Sequence, residues 1–314
     1  MNWDQEQAMR TELNESVIAV PPLARHADLS LNVAANTALI RHLEQGGIST
    51  LMYGGNANLY NVAPSDYPKL LDMLLDAAAP DTWLIPSVGP DYGKMADQWA
   101  ALRARPFPTA MVLPSGGAFT AAGVADGIRR FVDGFGKPAI AYVRAANFLA
   151  PEMLARLVDE KAVTAIKYAI VREDPAEDAF LTELVKLVDR ARIISGLGER
   201  PAISHWKNFG IRAFTSGSVS IAPRVSTALL EALKAGDFAK AEQIRAHFLP
   251  FETLRDTINP IQVLHDGVSL AGVADMGPIL PLMSNLDATT KERVAPAARD
   301  LLRLNETMSV GKAA

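Results

Sequence analysis

The chain has no cysteine among its 314 residues. Disulfides, thiolate zinc sites and a cysteine nucleophile are excluded together. It also has no apolar run near the roughly 18 residues that a membrane span needs, so no membrane partner is expected. Charge of one sign is nowhere concentrated. The net charge is −4 and charged residues make up 21% of the chain, which leaves no basic footprint for nucleic acid. A small anionic substrate stays open, because one local cationic pocket suffices. The start, MNWDQEQAMRTELNE, is polar and acidic and has no apolar signal core, so a cytoplasmic location is expected. The five histidines, at 26, 42, 205, 247 and 265, show neither H-x3-H nor H-E-x-x-H spacing, and no metal site is expected. No strand-like run leads into G-x-G-x-x-G, and no G-x-x-x-x-G-K-[ST] occurs, so no cofactor is expected.

What is present is a repeating pattern. Apolar, strand-like runs stand at SVIAVPPL (16–23), ISTLMYGG (48–55), TWLIPSVG (82–89) and TAMVLPSGG (109–117). Four more follow at KPAIAYV (137–143), VTAIKYA (163–169), ARIISGLG (191–198) and IRAFTSGS (211–218). Between them lie stretches with apolar residues three and four apart, such as 65–79, 153–160 and 178–191. Eight strand-plus-helix units predict an α/β fold, a (β/α)8 TIM barrel over 1–222. An open doubly wound sheet is the weaker alternative, since its glycine fingerprint is missing. From 223 to 314 the strand signals stop. The segments 224–258 and 290–308 read as helices, so a C-terminal helical segment packed on the barrel is expected. The ten methionines are scattered through the apolar runs and read as core filler.

One position breaks the pattern. Lys167 interrupts VTAIKYAIV, a run that otherwise suits a strand covered on both faces. Lysine is almost never fully buried without a partner or a task. The plain alternative is a lysine at a strand exit that snorkels to water. Tyr142 ends the preceding strand, so both side chains emerge at the same barrel end, from strands about 4.8 Å apart. Desolvation lowers a lysine pKa and leaves a neutral amine that can attack a ketone and form a Schiff base. A neighbouring phenol can relay protons. Three small-residue loops follow strands on the same end: YGGNANLYN (53–61), SGLGE (195–199) and FTSGS (214–218). They mark Gly55, Asn56, Ala57, Asn58, Tyr60, Gly198, Glu199 and Thr215 as candidate contacts for a small, polar keto acid. His205 and Trp206 are expected on the helix after the seventh strand, not on a ligand.

These segments resemble the dihydrodipicolinate synthase and N-acetylneuraminate lyase superfamily, class I Schiff-base enzymes of the pyruvate type, over most of the chain. AIKYA is similar to the family segment G-I-K-[DE]-[AST], and AIAYV to the strand that ends in the tyrosine of Y-N-x-P. The resemblance implies that Lys167 is the Schiff-base lysine and Tyr142 the proton relay. YGGNAN stands where the family has G-[ST]-T-G-E, whose backbone holds the keto-acid carboxylate, which carries that role to Gly55, Asn56 and Ala57. FTSG resembles the glycine-rich segment of the eighth strand.

The departures are as informative. GNANL has lost the threonine hydroxyls and the glutamate. LPSGG, with Ser115 and Gly116, replaces the Tyr-Tyr pair after the fourth strand. VRAAN replaces N-x-P-x-R after Tyr142, and the segment to the lysine is about three residues shorter, which leaves Arg144 as either a replacement carboxylate-binding arginine or a surface charge. The resemblance therefore implies a lyase, an aldolase or dehydratase, acting on a 2-oxo acid such as pyruvate or a 2-keto-3-deoxy sugar acid. Authentic dihydrodipicolinate synthase activity and a non-catalytic keto-acid-binding paralogue are the alternatives. A homo-oligomer, a tetramer built from dimers, is also implied.

Overall fold

In the computed structural model, which describes residues 13–308, eight parallel strands close into a barrel in sequence order. They are β1 (Ile18–Ala19), β2 (Thr50–Tyr53), β3 (Trp83–Val88), β4 (Ala110–Val112), β5 (Ala139–Val143), β6 (Val163–Tyr168), β7 (Ile193–Ser195) and β8 (Ala213–Ser216). Each lies within one of the eight expected runs. The helices between them are α1 (Val33–Gln45), α2 (Tyr67–Ala77), α3 (Tyr92–Arg103), α4 (Ala121–Phe135), α5 (Pro151–Asp159), α6 (Ala179–Leu187) and α7 (Ala202–Phe209). The strands are nearly continuous apolar runs because the barrel centre covers one face and the helices cover the other. The helices bury one stripe each. In α4, Ala125, Ile128, Phe131 and Phe135 recur at that spacing and are buried. Local chemistry sets their starts: Asn32, Thr120 and Asp178 each accept a backbone N–H from the first turn of α1, α4 and α6.

The helix that completes the eighth unit, α8 (Pro223–Lys234), lies beyond the boundary at 222 that the strand signals suggest. Three more follow: α9 (Phe238–Thr257), α10 (Pro260–Ala271) and α11 (Ala288–Thr307). The helical pattern of 224–258 is thus two helices. Gly236, at φ 72°, breaks it and Asp237 caps the next one through Lys240 N–H. Proline stands inside α9 at Pro250 and inside α11 at Pro296. No helix among the described residues is long and apolar enough to cross a membrane.

Register decides which side chains enter the barrel, since directly paired residues share a face. Going round, Ile18 pairs with Thr50, Met52 with Ile85 and Ser87 with Met111. Then Met111 pairs with Ile140, Tyr142 with Lys167 and Lys167 with Ile194. Ile194 pairs with Ala213, and Thr215 returns to Ile18. All of these face inward. Between β5 and β6 the register shifts by one residue, from Ala139 opposite Val163 to Ile140 opposite Ala165. Without that shift Tyr142 would meet Ile166, and the lysine would turn outward.

Candidate active site

Tyr142 and Lys167 stand side by side at the C-terminal mouth of the barrel. Their strands are in direct register there, and the Lys167 Nζ lies 4.3 Å from the centroid of the Tyr142 ring. Lys167 is 5% exposed. Burial, joined by the positive charges of Arg144 and Arg255, brings its amine down from the ordinary lysine range to about 7. That displacement corresponds to something on the order of 5 kcal/mol against the charged form. The ring face favours the ammonium by roughly 2 kcal/mol in a desolvated site, so burial and the two guanidiniums prevail. Burial pushes the Tyr142 phenol the other way, up to about 12. Near neutral pH the site therefore holds an amine with a substantial neutral fraction beside a protonated hydroxyl. An amine in this state can add to a carbonyl.

Glycines clear the space above this pair. A side chain at Gly54 would meet Met111 Cε at 2.7 Å and Ser87 Oγ at 3.0 Å. One at Gly196 would meet the Tyr168 carbonyl oxygen at 2.8 Å and Lys167 Cγ at 3.0 Å. The loop after β2 folds back on itself, with Asn58 N–H donating to Gly55 O at 2.9 Å and Leu59 N–H to Gly54 O at 3.2 Å. Asn58 takes the left-handed conformation at φ 51° and donates to Leu280 O. The Asn56 amide reaches Val20 O at 2.8 Å and pins the loop to the end of β1, while Lys94 Nζ holds the carbonyls of Leu59 and Tyr60 at 2.8 Å each. Among the described residues the N–H groups of Asn56 and Ala57 take no protein acceptor, which leaves two donors for an anion.

Tyr60 links this loop to the lysine. Its ring lies beside Gly55, and its hydroxyl interacts with the Arg144 guanidinium, which also faces Tyr142. Arg144 is exposed as a residue, yet its charge belongs to this cluster and contributes to the neutrality of Lys167. Thr215 faces the barrel interior, buried, with its hydroxyl 3.5 Å from Ser195 O.

The loop after β7 is placed differently from its sequence reading. Glu199 is not an open contact: it is fully buried and accepts from Ser226 Oγ at 2.8 Å. Ser216 also lies beside its carboxylate, and burial together with Glu252 raises its pKa. Gly198, at φ 75°, packs against the Glu252 carboxylate. His205 lies on α7, outside the barrel, where burial holds its ring neutral and its Nδ1 is 2.8 Å from Ser195 Oγ. Tyr168 likewise faces outward and donates to Asp178, which pairs with Arg172. These outer networks brace β6 and β7 and do not meet the lysine.

Arg255 and Glu252 were not anticipated from the sequence. Both are buried charges on α9, joined by an Arg255 Nη1 to Glu252 Oε1 bond of 2.8 Å. The available signal was an E-x-x-R pair on the same helical stripe as the buried Phe248 and Phe251. Among the described residues no three His, Asp or Glu side chains gather as a metal site.

Comparison with known proteins agrees with the barrel fold. The chain is similar to the solved dihydrodipicolinate synthase of Bacillus clausii, with a TM-score of 0.82 at 20% identity, covering 93% of this chain and 98% of that one. The enzyme of Oceanobacillus iheyensis superposes with a TM-score of 0.83 at 19% identity, over 96% and 100% of the two chains. YagE from E. coli K12, a prophage protein of the dihydrodipicolinic acid synthase family solved in complex with pyruvate, gives 0.80 at 19% identity over 91% and 98%. At such identities the likeness is one of fold. Comparison with curated protein sequences gives no match. The model of the dihydrodipicolinate synthetase family matches residues 15–299, and the chain belongs to that family.

Proposed function

We propose that this protein is a Schiff-base-forming lyase that acts on a 2-oxo acid through Lys167. The observation that carries the reading is the buried, inward Lys167 amine, brought down to about 7 beside the Tyr142 hydroxyl. The neutral amine adds to the C2 ketone. The carbinolamine then loses water to give an imine, with Tyr142 passing protons to and from the departing oxygen. The protonated imine serves either as an electron sink for cleavage of the C3–C4 bond or as the group that acidifies C3 for elimination. In this reading the N–H groups of Asn56 and Ala57 hold the keto-acid carboxylate, with Gly55 allowing the close approach. Arg144 and Tyr60 take the distal polar end, and Arg144 stands in for the family's carboxylate-binding arginine. Asn58, Gly198, Glu199 and Thr215 shape the site from behind. By likeness to the family the enzyme works as a cytoplasmic homotetramer.

Borohydride reduction in the presence of pyruvate tests the reading. A mass addition on the Lys167 peptide alone is expected. An unmodified protein at millimolar pyruvate, or a label on another lysine, overturns it. A panel of 2-oxo acids under the same trap then separates aldol cleavage, which leaves a pyruvate-sized adduct on Lys167, from dehydration, which leaves an adduct one water lighter than that of the intact substrate.

A further inference from the structure

The N-terminal end of the barrel, away from Lys167, holds a basic cavity that closing the barrel does not require. It lies between the ends of α4 and α5 and the starts of β5 and β6, and it encloses about 170 Å³. Val132, Pro138, Val158 and Val163 give it apolar walls, while Lys137, Lys161 and Arg192 stand round it and no carboxylate lines it. Lys137 is half-buried and donates to Phe107 O. Burial pulls its amine below the ordinary lysine range, and no carboxylate opposes that. Among the described residues the Lys161 ammonium has neither an ion pair nor a hydrogen bond, since the adjacent Glu160 is held by Arg129 at 2.7 and 3.1 Å. Arg192 Nη1 donates at 3.1 Å to the carbonyl of Thr164, the residue inserted at the register shift between β5 and β6.

Lys161 also stands where a lysine is costly. α5 closes through Lys161 N–H to Val158 O and Ala162 N–H to Leu157 O, both at 2.9 Å, a helix end that calls for a left-handed residue and favours glycine. Beside the same cavity α4 ends on a left-handed glycine, Gly136 at φ 84°, but α5 carries its lysine there at φ 61°. A strained residue kept at the lip of a cavity points to a task for its side chain. Neutralising the helix ends is the competing explanation. The carbonyl ends of α4 and α5 supply about half a negative charge each, so of the two lysine charges roughly one is left over, enough for one anionic group. We propose that this cavity is a ligand site separate from the barrel mouth and takes a short aliphatic carboxylate: Lys137 and Lys161 hold the carboxylate, and the valine and proline walls take the chain. At roughly 30 Å³ per water-sized group, the volume suits about six non-hydrogen atoms, the size of butyrate. A ligand so placed lies against Thr164, three residues before Lys167, yet its binding does not depend on what Lys167 does.

Trace acetylation by acetic anhydride, read peptide by peptide in a mass spectrometer with and without butyrate at constant ionic strength, footprints the site. Labelling of Lys161 and Lys137 should fall about fivefold at roughly 20 mM butyrate, as for a dissociation constant on the order of 5 mM. The exposed Lys69 and Lys186 should label as before. Inorganic phosphate should protect much less, because apolar walls offer it nothing. Lys161→Gly suits the left-handed backbone and should fold normally, but butyrate should no longer protect Lys137. Val158→Phe fills the cavity without removing a charge and should abolish protection of both lysines. Unchanged labelling of Lys161 and Lys137, or a fall shared by the reference lysines, overturns the proposal and leaves the two lysines as helix-end charges. Equal protection by phosphate overturns the carboxylate class, and protection that survives Val158→Phe overturns the seat for the chain. If Val158→Phe does not fold, Lys161→Gly decides, and Lys137 still protected there refutes the site. Failure of pyruvate trapping with butyrate protection intact would count against the Schiff-base reading alone.

Discussion

Lys167 and Tyr142 make opposite demands on the protein, and both can be measured. The phenol lies at the mouth with its pKa pushed up to about 12, so it acts as a donor and acceptor while protonated. Tyr142→Phe keeps the ring against the lysine and removes only the hydroxyl. Stability should change by no more than about 1 to 2 kcal/mol, the range for one hydrogen bond. Turnover should drop by at least the ~10² of a lost general acid/base, while borohydride still labels Lys167, more slowly. Near-normal turnover per folded molecule with a large stability loss would make Tyr142 a core residue. The lysine carries a stability cost of its own. Its amine titrates near 10.4 in an unfolded chain and at about 7 in the folded protein. Between those values the unfolded chain holds a proton that the folded one lacks, so stability rises with pH through the window and the cost is full below about 7. Lys167→Met should therefore raise stability at pH 7 by on the order of 1 to 3 kcal/mol, and the gain should fade as pH approaches 10. Chemical denaturation at several pH values checks this, and a gain independent of pH would refute it.

At the scale of elements, the strands were legible because each is an apolar run bounded by glycine, proline or polar residues. Lys167 was legible because it violates such a run. What β6 does around Thr164 was not. The one-residue shift opposite Ala139 and Ile140 leaves no mark in composition, although it decides whether Lys167 meets Tyr142 inside the barrel. Nor could spacing show that Glu199 folds under the rim to Ser226, or that α9 returns Arg255 to the mouth, since both depend on contacts far apart in sequence. The loops make a separate prediction. After β2 the chain offers Asn56 and Ala57 rather than hydroxyls, and after β4 it offers Ser115, whose oxygen accepts from Gly117 N–H, and Gly116. The loop after β4 has no tyrosine, and the loop after β2 has no threonine; its one tyrosine, Tyr60, is engaged by the Arg144 guanidinium. Dihydrodipicolinate synthase activity should accordingly be about 10² to 10⁴ below that of an ordinary enzyme, the usual cost of a missing acid or base. A coupled assay with pyruvate and aspartate semialdehyde measures it, and ordinary turnover would refute the expectation.

The whole molecule joins the barrel to its last helices more closely than a division at residue 222 suggests. α8 is the eighth barrel helix, and α9 to α11 share the buried apolar core of the barrel. Phe248 and Phe251 of α9 are completely buried, as are Val263, Leu264 and Val268 of α10. Gly267 of α10 leaves room for the Phe251 ring, which would stand 2.6 Å from a side chain there, with Ile221 behind it at 3.6 Å. Asn305 of α11 accepts the Arg224 N–H at 2.8 Å, at the start of α8. Each large apolar side chain exposed by removing these helices loses roughly 1.5 to 3 kcal/mol, and several such losses match the 5 to 15 kcal/mol by which whole proteins are stable. Removal would also strand Ser218 without Glu252 and open the space beside Gly217 where Arg255 sits. A chain ending at Ala235 should therefore fail to give a cooperative thermal transition and should collect as aggregate, whereas a chain ending at Met308 should melt like the full one. Circular dichroism melts with size-exclusion chromatography distinguish these outcomes. A sharp melt from a monodisperse 1–235 product would mean that the barrel stands alone, and that Arg255 is supplied to the site by a separable part of the chain.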